Sequence, residues 1–130
     1  MTRADRVRSR LHRRRALAFV VVLALLLFLG LRPEGLPEAF AGEDKVHHAV
    51  GFAALTVTLR IASPRRHILG VVVVALAIGL AIELGQLLHP HRSASAADML
   101  ANAIGVAAGA AASIMGRAWL RARERSAIER

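Results

Sequence analysis

The chain has no cysteine and no tyrosine, and one tryptophan and four phenylalanines supply all of its aromatic rings. Disulfide and thiolate chemistry are excluded, and redox usage gives no reading of compartment. The scarcity of rings also weighs against nucleic acid. The net charge is +9, yet no aromatics are interleaved to stack bases, and the Arg residues gather at the ends of apolar runs rather than along one polar helix face. Several catalytic signatures are missing as well. There is no Ser nucleophile in an elbow, no Walker loop, no carboxylate pair at a spacing diagnostic of hydrolysis and no His pair at i, i+4.

What is present is apolar and continuous. Of 130 residues, 55% are hydrophobic, too many for a soluble domain of this size unless they lie in runs. Ala16–Leu31 is unbroken; His48–Ala62 is interrupted only by two Thr and Arg60; Ile68–Leu88 holds Glu83 and Gln86; Met99–Leu120 holds Asn102, Ser113 and Arg117. A helix crossing the hydrocarbon of a bilayer needs about 20 residues, with a range of roughly 17–25, so the expected spans are 16–31, 46–62, 67–88 and 98–119.

Charge orients them. Residues 1–15 form a basic segment with seven Arg against Asp5, the junction 60–67 carries Arg60, Arg65 and Arg66, and from Arg117 through the basic tail 121–130 there are five Arg against Glu124 and Glu129. The junction 32–47 is net acidic, with Arg32 and Lys45 against Glu34, Glu38, Glu43 and Asp44, and the last junction balances Arg92 against Asp98. This alternation is the positive-inside pattern: both termini and the middle loop cytoplasmic, the other two loops outside. The expected location is a cytoplasmic (inner) membrane, with membrane lipids as neighbours. A signal peptide is the rival reading of the first run, since Ala39-Phe40-Ala41 imitates a cleavage site, although Pro33 and two Glu separate it from Leu31. Short junctions make consecutive helices antiparallel, so the expected fold is all-α, an integral-membrane four-helix antiparallel bundle.

Within it, Asp44 is expected to cap the second helix, Ser63-Pro64 to open the third, and Ser95-x-x-Asp98 to form a capping box on the fourth. Helical spacing puts Asp44, His48 and Gly51 on one face, Gly79, Glu83 and Gln86 on another, and Asp98, Asn102, Gly105 and Gly109 on a third. With Lys45 and Arg92, the polar members collect at the external boundary as a candidate ligand-binding cluster, because ionisable residues there are costly and mark function. Glu83 lies five residues before Leu88, about 8 Å inside the helix end at 1.5 Å per residue, and needs a partner. Gln86, Lys45, His48 and Arg92 are on hand. The glycines serve helix packing, with Gly105-x-x-x-Gly109 facing either the bundle or a second copy of the chain as a homo-oligomer contact. The structural alternatives are ordinary: helix capping for Asp44 and Asp98, headgroup anchoring for Lys45 and Arg92, interfacial placement for His47, His89 and His91, and packing for His48.

The strings Asp44-Lys45-Val46-His47-His48 with Phe52, Glu83-Leu84-Gly85-Gln86, Pro90-His91-Arg92-Ser93-Ala94-Ser95 and Asp98-Met99-Leu100-Ala101-Asn102-Ala103-Ile104-Gly105 resemble the VanZ-like family of small multi-span bacterial membrane proteins. The resemblance covers roughly residues 44–110. It departs at Phe52, where the family usually has Tyr, and at His91, where it usually has Gly, so phenol chemistry at that site is not implied. The family's namesake is associated with low-level teicoplanin resistance, a phenotype that does not carry over from the resemblance.

Lys45, Arg92 and His48 can hold a phosphate or carboxylate, and Glu83 or Asp98 can act as acid or base. Binding of an anionic envelope lipid or lipid-linked cell-wall precursor is the favoured reading. A small membrane enzyme acting on a lipid-linked phosphate or acyl group is the alternative, resting on residue types alone. No cofactor, metal or nucleic acid is expected, the metal because the His and carboxylates lack a compact ligand motif.

Overall fold

Thr2 sets the first turn. Its hydroxyl accepts from the Asp5 amide at 3.1 Å while the Asp5 carboxylate accepts from the Thr2 amide at 2.9 Å, a reciprocal capping box. From that cap one helix, α1, runs over Arg3–Gly30, so the basic segment and the first apolar run are continuous. The computed structural model describes residues 2–33, 39–90 and 95–129. Its other helices are α2 (Glu43–Ala62), α3 (Ile68–Gln86) and α4 (Ala96–Ile128). The all-α expectation holds: four helices pack together, and α3 and α4 are long and apolar enough to cross a membrane.

Two helix starts differ from expectation. Gly42, at φ 85°, is the N-cap of α2 and gives no side-chain cap, so Asp44 sits inside the first turn. The left-handed backbone there favours a glycine. Ser63 closes α2 rather than opening α3, whose cap is His67, accepting from the Leu69 amide at 3.3 Å. The reason is Arg60: its Nη1 donates to the carbonyls of Ser63, Pro64 and Arg66 at 3.2, 3.1 and 2.7 Å. A guanidinium there completes the C-terminus of α2 and draws residues 63–66 into that helix's end. At α4 half of the expected capping box forms: Ser95 Oγ accepts from the Asp98 amide at 3.3 Å, while the Ser95 amide donates to Glu83 rather than to Asp98.

The inward faces follow helical spacing. On α3 they are Val71, Ala75, Gly79, Ile82, Glu83 and Gln86; on α4, Ala101, Asn102, Gly105, Val106 and Gly109. Phe52, Leu55, Ala75, Ile82 and Val106 form the apolar core. α2 and α4 run parallel and meet most closely. A methyl added at Gly105 would strike the Ala49 carbonyl, and one at Gly109 would lie 2.6 Å from the Ala53 carbonyl oxygen. Small residues allow that approach of backbones. α1 is peripheral: it packs on α2 and α3, does not reach α4 among the described residues, and buries no residue fully. Large apolar side chains point outward on every helix, among them Phe28, Val50, Leu69 and Ile104, each more than half exposed. Several polar side chains are meanwhile fully buried, the reverse of a water-facing protein.

Candidate functional site

One end of the bundle is formed by the start of α2, the end of α3 and the start of α4, and the predicted polar residues meet there. His48 Nδ1 lies 2.8 Å from Asn102 Oδ1. Since a carbonyl oxygen only accepts, Nδ1 is the donor in this contact. Glu83, only 1% exposed, accepts from the Ser95 amide through Oε2 at 3.1 Å. Gln86, equally buried, donates from Nε2 to the Gly30 carbonyl at 2.9 Å and ties α3 to the last turn of α1. Gly79 leaves the space this requires: a methyl there would lie 3.2 Å from both Asn102 Nδ2 and the Phe52 ring.

The charged pairs are less enclosed. Lys45 Nζ binds the Asp44 carboxylate at 3.0 and 3.1 Å and stands 3.9 Å from Asp98 Oδ1. The Lys45 hydrogen bond holds the Asp44 carboxyl below its ordinary pKa. His47 pairs with Glu43 at 3.7 Å on the exposed side of α2. Arg92, predicted as part of the cluster, lies outside the described residues, as does His91.

The depth predicted for Glu83 is corrected. α3 ends at Gln86, so Glu83 is three residues, about 4.5 Å, from the helix end. Its burial comes from the neighbouring helices, and the hydrogen bond it accepts among the described residues comes from backbone rather than from Gln86, Lys45 or His48. Spacing could not reveal Ser95 in that role, or the Gly30 carbonyl, because both depend on where a distant helix end is placed.

Three buried polar atoms have no hydrogen-bond partner among the described residues: Glu83 Oε1, Asp98 Oδ1 and Asn102 Nδ2. Most buried polar atoms in native proteins are satisfied, so such a group asks for an explanation. His48, Glu83 and Asp98 also offer one ligand atom each within 4.8 Å of one another.

This arrangement of a His on α2, a buried Glu on α3 and an Asp–Asn pair on α4 can be set against known proteins. The family model described as VanZ/LLP1 matches residues 14–117, most of the chain and all four helices in whole or part. The chain belongs to the VanZ/LLP1 family. The match takes in the greater part of α1, beyond the 44–110 region that carries the quoted motifs. No curated protein and no solved structure is significantly similar to it. The functional reading of this VanZ/LLP1 chain therefore rests on its own geometry. The Phe52 ring, against Gly79, brings no hydroxyl to the cluster.

Proposed function

We propose that this VanZ/LLP1 protein is a multi-span protein of the bacterial cytoplasmic membrane that binds an anionic envelope lipid or lipid-linked cell-wall precursor at the His48–Glu83–Asp98–Asn102 end of its bundle. The observation that carries the reading is the convergence of buried polar side chains with unpaired atoms at one end of an otherwise apolar bundle. Groups of this kind are retained in a membrane where they meet a ligand. Outward-facing apolar side chains on all four helices support lipid as the surrounding solvent.

Topology supports which face the cluster occupies. The Arg-rich start of α1, the Arg60–Arg66 turn and the Arg-rich end of α4 lie toward the opposite end, where Arg117 Nη2 donates to the Pro64 carbonyl at 3.2 Å. Under the positive-inside rule that end is cytoplasmic and the cluster extracytoplasmic, with both termini inside. Cysteines at positions 40 and 88 should label from outside, and those at 65 and 125 only after permeabilisation. An externally labelled position 125 defeats the topology and the site's placement together.

A direct test of binding compares parent and Glu83→Gln protein in nanodiscs containing undecaprenyl phosphate or phosphatidylglycerol, read by native mass spectrometry. Glu83→Gln should remain inserted and folded while losing retained lipid. Equal retention by a folded variant refutes the reading. The enzyme alternative is favoured by one feature, the Glu83 Oε1 lone pairs beside the His48 ring. It requires turnover of a lipid-linked phosphate or acyl ester by the parent that Glu83→Gln abolishes.

A further inference from the structure

The VanZ/LLP1 cluster is poorly arranged to receive an anion on its own. Two of its buried ends are carboxylates, Glu83 and Asp98, and a phosphate would meet like charge. The cation beside them, Lys45, is shared with Asp44 and stands 3.9 Å from Asp98 Oδ1. Glu83 Oε1 belongs to a residue 1% exposed and accepts no hydrogen bond among the described residues; Asp98 is only partly buried, but its Oδ1 is buried and likewise accepts none. Leaving such oxygens unpaired is costly. A small, strongly charged cation would relieve both.

We propose that His48, Glu83 and Asp98 hold a divalent first-row transition-metal ion, zinc or manganese. The three side chains come from α2, α3 and α4, and their ligand atoms lie within 4.8 Å of one another. Ligands of a tetrahedral zinc stand about 3.4 Å apart, given zinc–nitrogen and zinc–oxygen distances of about 2.0–2.2 Å. Side-chain rotation at the half-buried His48 and Asp98 covers the remaining closure. One imidazole with two carboxylates suits zinc, iron or manganese, whereas magnesium and calcium favour all-oxygen shells.

The surroundings match those that orient metal ligands. A ligating His commonly donates its second ring N–H to a carbonyl or carboxylate, which fixes the tautomer; His48 Nδ1 does so to Asn102 Oδ1 at 2.8 Å, leaving Nε2 available. A ligating carboxylate commonly accepts a hydrogen bond on its other oxygen, and Glu83 Oε2 accepts from the Ser95 amide at 3.1 Å. Sequence spacing hides the set because each ligand sits on a different helix. Three protein ligands leave a coordination position for water or for a phosphate oxygen. The inference goes beyond the lipid reading and stands without it, since the ion is expected to bind in detergent with no lipid added.

The test uses the full-length protein in detergent, stripped with chelator and dialysed separately against zinc and manganese chloride, with bound metal counted by mass spectrometry. The parent should bind one ion per chain. Glu83→Gln, Asp98→Asn and His48→Gln should each weaken binding by at least about 100-fold, and Asn102→Leu by about 10- to 100-fold, the range typical of groups that orient ligands. The control is a Glu43→Gln, His47→Gln double variant, which removes the exposed pair on α2 and should bind as the parent does. X-ray absorption of the zinc form should report one imidazole nitrogen and the rest oxygen. The proposal falls if the parent takes up no ion at millimolar metal. It also falls if binding persists in the three ligand variants, or is lost only in the control. Gel filtration and thermal unfolding identify variants that fold, and three independent substitutions keep the test decisive if one does not. Lipid retention unchanged by metal removal would leave the metal site standing and detach it from the lipid reading.

Discussion

The two ends of the bundle both carry ionisable side chains and use them differently. At the end formed by the α2–α3 turn, Arg60 donates to three carbonyls and Arg117 to one of the same three, that of Pro64, so these guanidiniums complete backbone that the helices leave open. At the other end, His48, Glu83, Asp98 and Asn102 face one another, and three buried atoms have no hydrogen-bond partner among the described residues. A count of charges would rank the basic end as the more conspicuous. What separates scaffold from site is whether the polar atoms are already satisfied within the chain.

The largest effect that should sharpen this contrast comes from Gly105→Leu. Its side chain would enter the Ala49 backbone, force α2 from α4 and pull His48 off Asn102. A loss of about 3 kcal/mol is expected from overpacking, read by unfolding in detergent. Gly70→Leu, with nothing close to its added carbon, should change little. Next in size, Arg60→Met should cost about 1.5–3 kcal/mol, the range for hydrogen bonds to a charged group. Ligand or ion binding at the far end should not change, and a loss of binding in this variant would break the comparison. Asn102→Leu should reverse that outcome. It removes an unpartnered buried amide nitrogen along with the His48 contact, so the stability change should stay within about 1 kcal/mol, yet binding should fall sharply.

The smallest effect is at the N-terminus. Hydrogen bonds from the Thr2 side chain, then its backbone, lower the Asp5 carboxyl below its usual value. That stabilisation of the first turn is fully present above the unfolded carboxylate pKa of about 3.9. It is lost as pH falls through the lowered value. Protection from hydrogen exchange in the first turn of α1, taken relative to the intrinsic rate at each pH, should therefore fall in acid in the parent and stay unchanged in Asp5→Asn.

Much of this arrangement was legible in the sequence, because helical spacing alone assigns inward faces. Gly79, Glu83 and Gln86 share one, as do Asn102, Gly105 and Gly109, and each of these but Gly79 and the glycines of α4 brings a polar atom to the cluster end. The family resemblance was legible for the same reason, being carried by those residues. What was not legible depends on tertiary placement. Ser63-Pro64 has the form of a helix start, and only Arg60 reaching three carbonyls makes it an end. The Gln86 contact with Gly30 requires knowing that α1 stops beside α3. Glu83 was expected to find a side chain, and a backbone amide across the α3–α4 junction met it first.

The pairing of His48 with Asn102 spans 54 positions of the chain, and translation proceeds from one to the other. When α2 leaves the ribosome, the amide that will fix its imidazole has not been synthesised, nor have the glycines that will receive Ala49 and Ala53. The α2–α4 contact, the closest in the bundle, is thus the last to form during synthesis. Until α4 arrives, His48 and Glu83 lack their final neighbours, so the polar end is assembled by the final helix and an interrupted chain contains these two residues without the site.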